Sequence, residues 1–161
     1  MAERDAAMDE QQMLVSTFYL GEAAFGMDTA QVQEVVRVGV ITPVHHAPGF
    51  VLGVMNLRGR IVTVIDLGVR LELDRTEIGE DSRIFIVDWQ GEQIGLLVDH
   101  VADAIPVDRT DLKPPPENVR SIQGRQFKGI FQVDGQLVAL LDMAAVLVFD
   151  GGTEAPALRS E

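Results

Sequence analysis

The chain has 161 residues, no cysteine, a formal net charge of −12 and 47% apolar residues. That length and composition suit one compact unit or two small intertwined ones with a sizeable core, and the lack of cysteine excludes a disulfide framework, a thiolate metal site and a cysteine nucleophile. The acidity argues against nucleic acid or an anionic membrane as partner, and no apolar run approaches the length of a membrane span.

Residues 1–12 are small, charged and without periodicity, so a disordered tail is expected there. Nothing in them resembles a signal peptide, which points to a cytoplasmic location. Met13 to Leu20 reads as a strand through Val15, Thr17, Phe18 and Tyr19. Gly21-Glu22 marks a turn, Ala24 to Met27 a return strand, and Asp28 or Thr29 a cap for a brief helical turn. Val32 to Val38 reads as a third strand, with Gln33, Glu34 and Arg37 among valines, and His45 to Gly49 as a loop. Gly53 to Leu67 then forms two almost continuously apolar arms around Arg58-Gly59, a hairpin expected to be covered on both sides. Asp66 is placed to cap a short helix through Leu71, and Leu73 to Ser82 is a polar connector.

The second half repeats this plan. Arg83 to Trp89 and Gln93 to Val98 read as a hairpin around Gln90-Gly91, Asp108 to Leu112 as a helical turn, and Pro114 to Pro116 as a stiff extended connector. Gly129 to Met143 matches Gly53 to Leu67 in register, so Gly53, Gly59, Val62 and Asp66 meet Gly129, Gly135, Val138 and Asp142. Phe25-Gly26-Met27 likewise meets Ile94-Gly95-Leu96, and Glu34 meets Asp103. Met143 to Val148 closes the pattern as a short helix, and 150–161 is a small, polar tail. Roughly ten short strands in two sets of five indicate an all-β fold of two small barrels or one sandwich. The chain is a tandem duplication of one β unit.

Motifs of chemistry are missing. No Gly-rich phosphate loop, Gly-x-Ser-x-Gly elbow or calcium loop occurs. His45 and His46 are neighbours without a third ligand at useful spacing. Asp99 and Asp103 flank His100, but the position of Asp103 is better explained by an exposed strand residue. What remains is surface. Of the two twin turns, one shows Asn56-Leu57-Arg58 and the other ends in Asp134. Arg58 is either a solvated turn charge or, with its planar donor fork beside Leu57, an interaction hot spot.

These motifs resemble those of the CheW-type chemotaxis coupling proteins. The resemblance rests on Gly53-Val54-Met55-Asn56-Leu57-Arg58-Gly59, on Ile61, Val64 and Asp66-Leu67, on Val32-Gln33-Glu34-Val35, on Ile94 to Val101, and on the last hairpin from Phe127. It covers about residues 13–149. It implies two intertwined five-stranded SH3-like β-barrels with a few short helices, the first from roughly 13–72 and the second from roughly 82–149, with ends open to exchange. It also implies a non-enzymatic adaptor, without metal or cofactor, that joins the cytoplasmic hairpin tip of chemoreceptors to the regulatory domain of a CheA-type histidine kinase. Such a protein is expected to be a monomer alone, in arrays with its partners, and recruited to membrane-associated receptors.

Carried over by position, Val32, Glu34, Gly53 and Arg58 fall where the family contacts receptor or kinase, with Asn56 and Leu57 beside them. Arg83 and Ile84 flank an expected apolar receptor groove. Departures from the family pattern are Gly68 after Asp-Leu where arginine is frequent, Thr63 where proline is common, and Asn118 where an aromatic often serves a ring contact. The alternatives are an adaptor of a parallel pathway, such as pilus motility or surface sensing, and a small ligand- or metal-binding barrel using His45, His46 or Asp99.

Overall fold

In the computed structural model, which describes residues 11–114 and 126–148, ten strands form two sheets whose membership cuts across the sequence halves. The first half supplies β1 (Gln12–Leu20), β2 (Ala23–Asp28), β3 (Val32–Arg37), β4 (Val51–Leu57), β5 (Arg60–Asp66) and the helix α1 (Leu67–Arg70). The second supplies β6 (Arg83–Trp89), β7 (Glu92–Val98), β8 (His100–Asp108), β9 (Phe127–Val133), β10 (Gln136–Leu141) and α2 (Met143–Leu147). The strands pair in the order β8-β1-β2-β10-β9 in one sheet and β3-β6-β7-β5-β4 in the other. The stretches 1–10, most of the proline connector, Asn118 and the tail beyond Val148 lie outside the described residues.

Each sheet therefore takes its central hairpin from one half and its other three strands from the other. The stretches 13–72 and 82–149 do not each close one barrel. Two short links carry the chain across. Between β2 and β3 there is only a 3-10 turn, Thr29–Gln31, capped by Asp28. Between β7 and β8 there is a single bend residue, Asp99, whose N–H already donates to the Tyr19 carbonyl of β1. The halves meet in each sheet along one antiparallel ladder, β1–β8 or β3–β6, and one parallel joint, and the two parallel joints are equivalent. Ala139 pairs with Phe25 and Leu140 with Gly26, just as Thr63 pairs with Ile94 and Val64 with Gly95.

Three of the four antiparallel hairpins close in tight turns with both central residues at positive φ: Arg58-Gly59 at 53° and 86°, Gln90-Gly91 at 54° and 85°, Asp134-Gly135 at 51° and 82°; in the β1–β2 turn only Gly21 is positive, at 63°. The doubly positive turn matches the right-handed twist of the strands it joins, and Gly reaches such φ values without steric cost. The expected covering of the β4–β5 hairpin holds unevenly. β5 lies between β7 and β4 and is buried from Val62 to Asp66, whereas β4 is an edge strand and Asn56 is exposed.

Apolar side chains gather in three places. Val15, Phe131, Val138 and Leu140 fill one barrel; their repeat partners Ile84, Met55, Val62 and Val64 fill the other. The largest cluster lies between them, where Phe18, Phe25 and Met27 of one sheet meet Ile65, Phe85 and Leu96 of the other, with Met143, Val146 and Leu147 from α2. The Phe18 and Phe85 rings meet edge-on across it, with centroids 5.3 Å apart. Arg70 adds a polar tie between the halves: its guanidinium donates to the carbonyls of Val146 (2.7 Å), Ala145 (3.1 Å) and Val148 (3.2 Å) and lies over the Phe50 ring. The two barrels are thus joined by a shared core.

Candidate interaction site

Seven of the eight candidate residues lie on strands of the β3-β6-β7-β5-β4 sheet and Arg58 in the turn between β4 and β5, but they do not form one surface. The hairpin tip is rigid. Its two turn residues sit at positive φ, and the Asn56 side-chain oxygen accepts the Gly59 N–H at 3.0 Å. Asn56 thus helps set the direction in which Arg58 leaves the turn. Arg58 does not simply reach into water. Its guanidinium donates to the carboxylate of Glu34 on β3, from which it is 24 residues distant in sequence. β3 and β4 are the outer strands of the sheet order, so the pair bridges the two edges that the curl of the barrel brings together. The Arg58 side chain keeps 66% of its surface accessible and Glu34 33%.

Leu57 is half-buried and packs on the interior cluster below the tip. Ile61, which the sequence reading assigned no contact role, stands opposite Asn56 in the ladder and is 60% exposed. No sequence signal marks it, because Ile61 opens a continuous apolar run and only the fold shows β5 emerging from under its neighbours there. The tip therefore offers an arginine fork beside an exposed aliphatic group, a combination suited to protein contact.

The other candidates have different places. Ile84 has 0% exposure inside the barrel, so it supports the outer surface without forming it. Gly53 is buried at a backbone crossing, where the Val54 N–H donates to the Thr42 carbonyl and the Thr42 N–H to the Val54 carbonyl, both at 2.8 Å. Val32 is half-buried against the shared core. Arg83 stands opposite Arg37 in the β3–β6 ladder, and its guanidinium donates to the carbonyls of Ser82 (2.8 Å) and Glu80 (2.9 Å). An apolar groove of about 300 Å³ does exist, lined by Phe25, Leu71, Leu73, Phe127, Ile130 and Leu137. It lies against the other barrel, and none of the eight candidates lines it.

The residues of the ligand-binding alternative have structural partners. Asp99 accepts the Gly21 N–H at the β1–β2 turn, and His100 stacks on Tyr19 with ring centroids 4.7 Å apart. His45 and His46 stand 6.3 Å apart in their loop. Among the described residues, no group of three or more His, Asp or Glu side chains is arranged to hold a metal. Among them, too, no helix is long and apolar enough to cross a membrane.

Fold and surface together define a two-barrel scaffold module, whose equivalent hairpin tips carry Arg58 in one barrel and Asp134 in the other. The CheW-like domain family model matches residues 14–149, and the chain belongs to that family, whose members are non-enzymatic scaffold and adaptor proteins of chemotaxis. It is 30% identical over 129 residues to a chemotaxis protein CheW of Rhizobium meliloti, covering 80% of this chain and 83% of the relative. It is 28% identical over 132 residues to Protein FrzA of Myxococcus xanthus, covering 81% and 82%. The crystal structure of the scaffolding protein TtCheW from Thermoanaerobacter tengcongensis superposes with a TM-score of 0.80 at 34% identity, covering 88% of this chain and 91% of that one.

Proposed function

We propose that this protein couples the cytoplasmic hairpin tips of chemoreceptors to the regulatory domain of a CheA-type histidine kinase. It would do so from the cytoplasm, as a monomer recruited into membrane-associated arrays. Family membership supports the adaptor class, and one observation supports the site: Arg58 projects from a fixed turn in one barrel, while the twin turn carries Asp134. A duplicated fold preserves what folding needs in both copies, so a difference at equivalent exposed tips points to a partner. Arg58 would supply the polar anchor, with Leu57 and Ile61 beside it. The likeness to Protein FrzA favours a second reading within the same class, an adaptor of a parallel pathway such as pilus motility or surface sensing.

The test is capture of the purified kinase regulatory domain by this protein, with and without a receptor cytoplasmic fragment. Binding that the fragment enhances supports the coupling role, and binding only to a kinase of another pathway supports the second reading. No binding to any such kinase of the same cell refutes both. Arg58→Glu is expected to weaken assembly about thirtyfold, the loss of a ~2 kcal/mol hot spot, without changing the melting temperature by more than a few degrees. Asp134→Ala is expected to leave assembly unchanged; an equal loss there would refute the asymmetry between the twin tips.

A further inference from the structure

The apolar groove of about 300 Å³ belongs to the barrel that does not carry Arg58. Small residues line it, Ala23 and Ala24 of β2 and Ala139 of β10. The equivalent positions of the other barrel hold Glu92, Gln93 and Thr63. Longer polar side chains are thus compatible with the fold at these places, and the alanines that leave the hollow are not a requirement of folding. Leu73 and Leu137 also line it and are 38% and 60% exposed. Its wall on the connector side is held in place. The Glu72 N–H donates to the Val69 carbonyl at 2.9 Å, the Leu73 N–H to the Gly68 carbonyl at 2.7 Å, and the Thr76 N–H to the Asp66 carboxylate at 3.0 Å. Gly68 makes room for the connector, since a Cβ there would lie 2.6 Å from the Asp74 carbonyl oxygen. A ligand therefore meets a preformed surface.

The charge around the groove selects that ligand. The groove runs into a wider cleft of about 880 Å³, with which it shares Glu22, Ala23 and Leu73. Glu22, Glu72, Asp74, Glu77 and Asp99 line the cleft against one cation, Arg75. Two occupants from the protein itself carry the wrong sign. Residues 149–161 hold three acidic residues and one arginine, and a second copy brings a net charge of −12. The strands β2 and β10 are each paired on both sides, so they offer no free edge to an extended peptide. A ligand has to lay side chains across the face of the sheet, as an amphipathic helix does. We propose that this groove is a second docking site, which takes a short cationic amphipathic helix of a partner protein. Aliphatic side chains of that helix enter the hollow, and its lysines or arginines meet the carboxylates of the cleft. The site is separate from the Arg58 tip and does not depend on the adaptor reading.

The probe is a synthetic helical peptide of leucine and lysine, with the leucines on one face, titrated into the intact protein. Amide NMR shifts map the contact, and fluorescence anisotropy of the labelled peptide gives the affinity. Shifts are expected at Ala23, Phe25, Leu73 and Leu137. Leu137→Ser, and separately Asp74→Lys with Glu77→Lys, are each expected to weaken binding about tenfold. Melting should stay within a few degrees, because all three side chains are exposed. The same charge reversal on the other barrel, Asp88→Lys with Glu92→Lys, is expected to leave binding unchanged. An equal loss there, or equal binding of a peptide with glutamate in place of lysine, would reduce the effect to net charge or to general stickiness and overturn the proposal. Absence of binding, or shifts confined to other surfaces, would overturn it as well. Groove amides that shift on dilution without peptide would assign the groove to a second copy, and a shift on removal of residues 149–161 would assign it to the chain's own end; either result refutes a partner helix and leaves the adaptor reading untouched.

Discussion

A Cβ on Gly53 would lie 2.0 Å from the Thr42 carbonyl oxygen, and the residue itself sits at φ +149°. Both facts concern the backbone: Thr42 crosses β4 there and bonds to Val54. Gly129 holds the equivalent crossing by Lys113, but its Cβ would meet that carbonyl at 2.9 Å with no positive φ. Gly53→Ala should therefore cost more than about 3 kcal/mol, and Gly129→Ala about 1–2 kcal/mol, in urea denaturation. Equal costs would mean that the Thr42 crossing yields easily. A loss of assembly in a Gly53 variant is accordingly expected to follow from local distortion. A milder prediction concerns Asp108, which accepts the Thr110 N–H at 2.9 Å and its hydroxyl at 2.8 Å. The backbone bond first, then the hydroxyl bond, holds its carboxyl below the ordinary 3.8. The folded value lies below the unfolded one, so the stabilisation is present above the unfolded value and is lost as pH falls through the folded one. Thr110→Val should raise the titration of Asp108 in an NMR pH series only part of the way to 3.8, since the larger cause remains.

Elements differ in how much of them the sequence discloses. Turns and caps are local, so the Asp66 cap on α1, the Asp142 cap on α2 and all three positive-φ hairpins were readable from residue types and spacing. The Glu34–Arg58 pair was not readable, because it joins two sheet edges whose meeting depends on how the barrel curls. The repeat also hides a difference between the two caps. Asp142 accepts the Ala145 N–H at 3.3 Å; Asp66 accepts the equivalent Val69 N–H at 3.3 Å and also the Thr76 N–H at 3.0 Å, from a site 1% exposed. Asp66 thus caps a helix and anchors the connector between the halves. Asp142→Ala should cost about 1 kcal/mol, the usual value of a cap, and Asp66→Ala about 2–3 kcal/mol, because a buried N–H loses its acceptor. Chemical denaturation decides between them. Equal costs would show that the connector finds another acceptor or moves to water.

At the scale of the molecule, the duplication was legible in the residues, whereas exchange between the halves was left open by the family resemblance and the hairpins exchanged were not named. Each half carries the same strand order, so a hairpin such as β1–β2 presents nearly the same apolar face to its own half as to the other. The choice is made by connections too short to fold back, the 3-10 turn after β2 and the single residue Asp99 after β7. The consequence is that neither half has a complete sheet of its own: cutting the chain between them removes no strand pairing, yet every pairing that holds the cut pieces together survives. The parallel joints β2–β10 and β5–β7, the β1–β8 and β3–β6 ladders, the shared core and the Arg70 bonds all cross from one half to the other. A protease site introduced beside Ile78, which is 54% exposed in the connector, tests this directly. After cleavage the fragments should co-elute in size exclusion with an unchanged far-UV spectrum, and their unfolding midpoint should become concentration-dependent, because unfolding now releases two molecules. Fragments that separate under native conditions would mean that the halves are complete without each other, and that the crossed pairings contribute little to holding the barrels together.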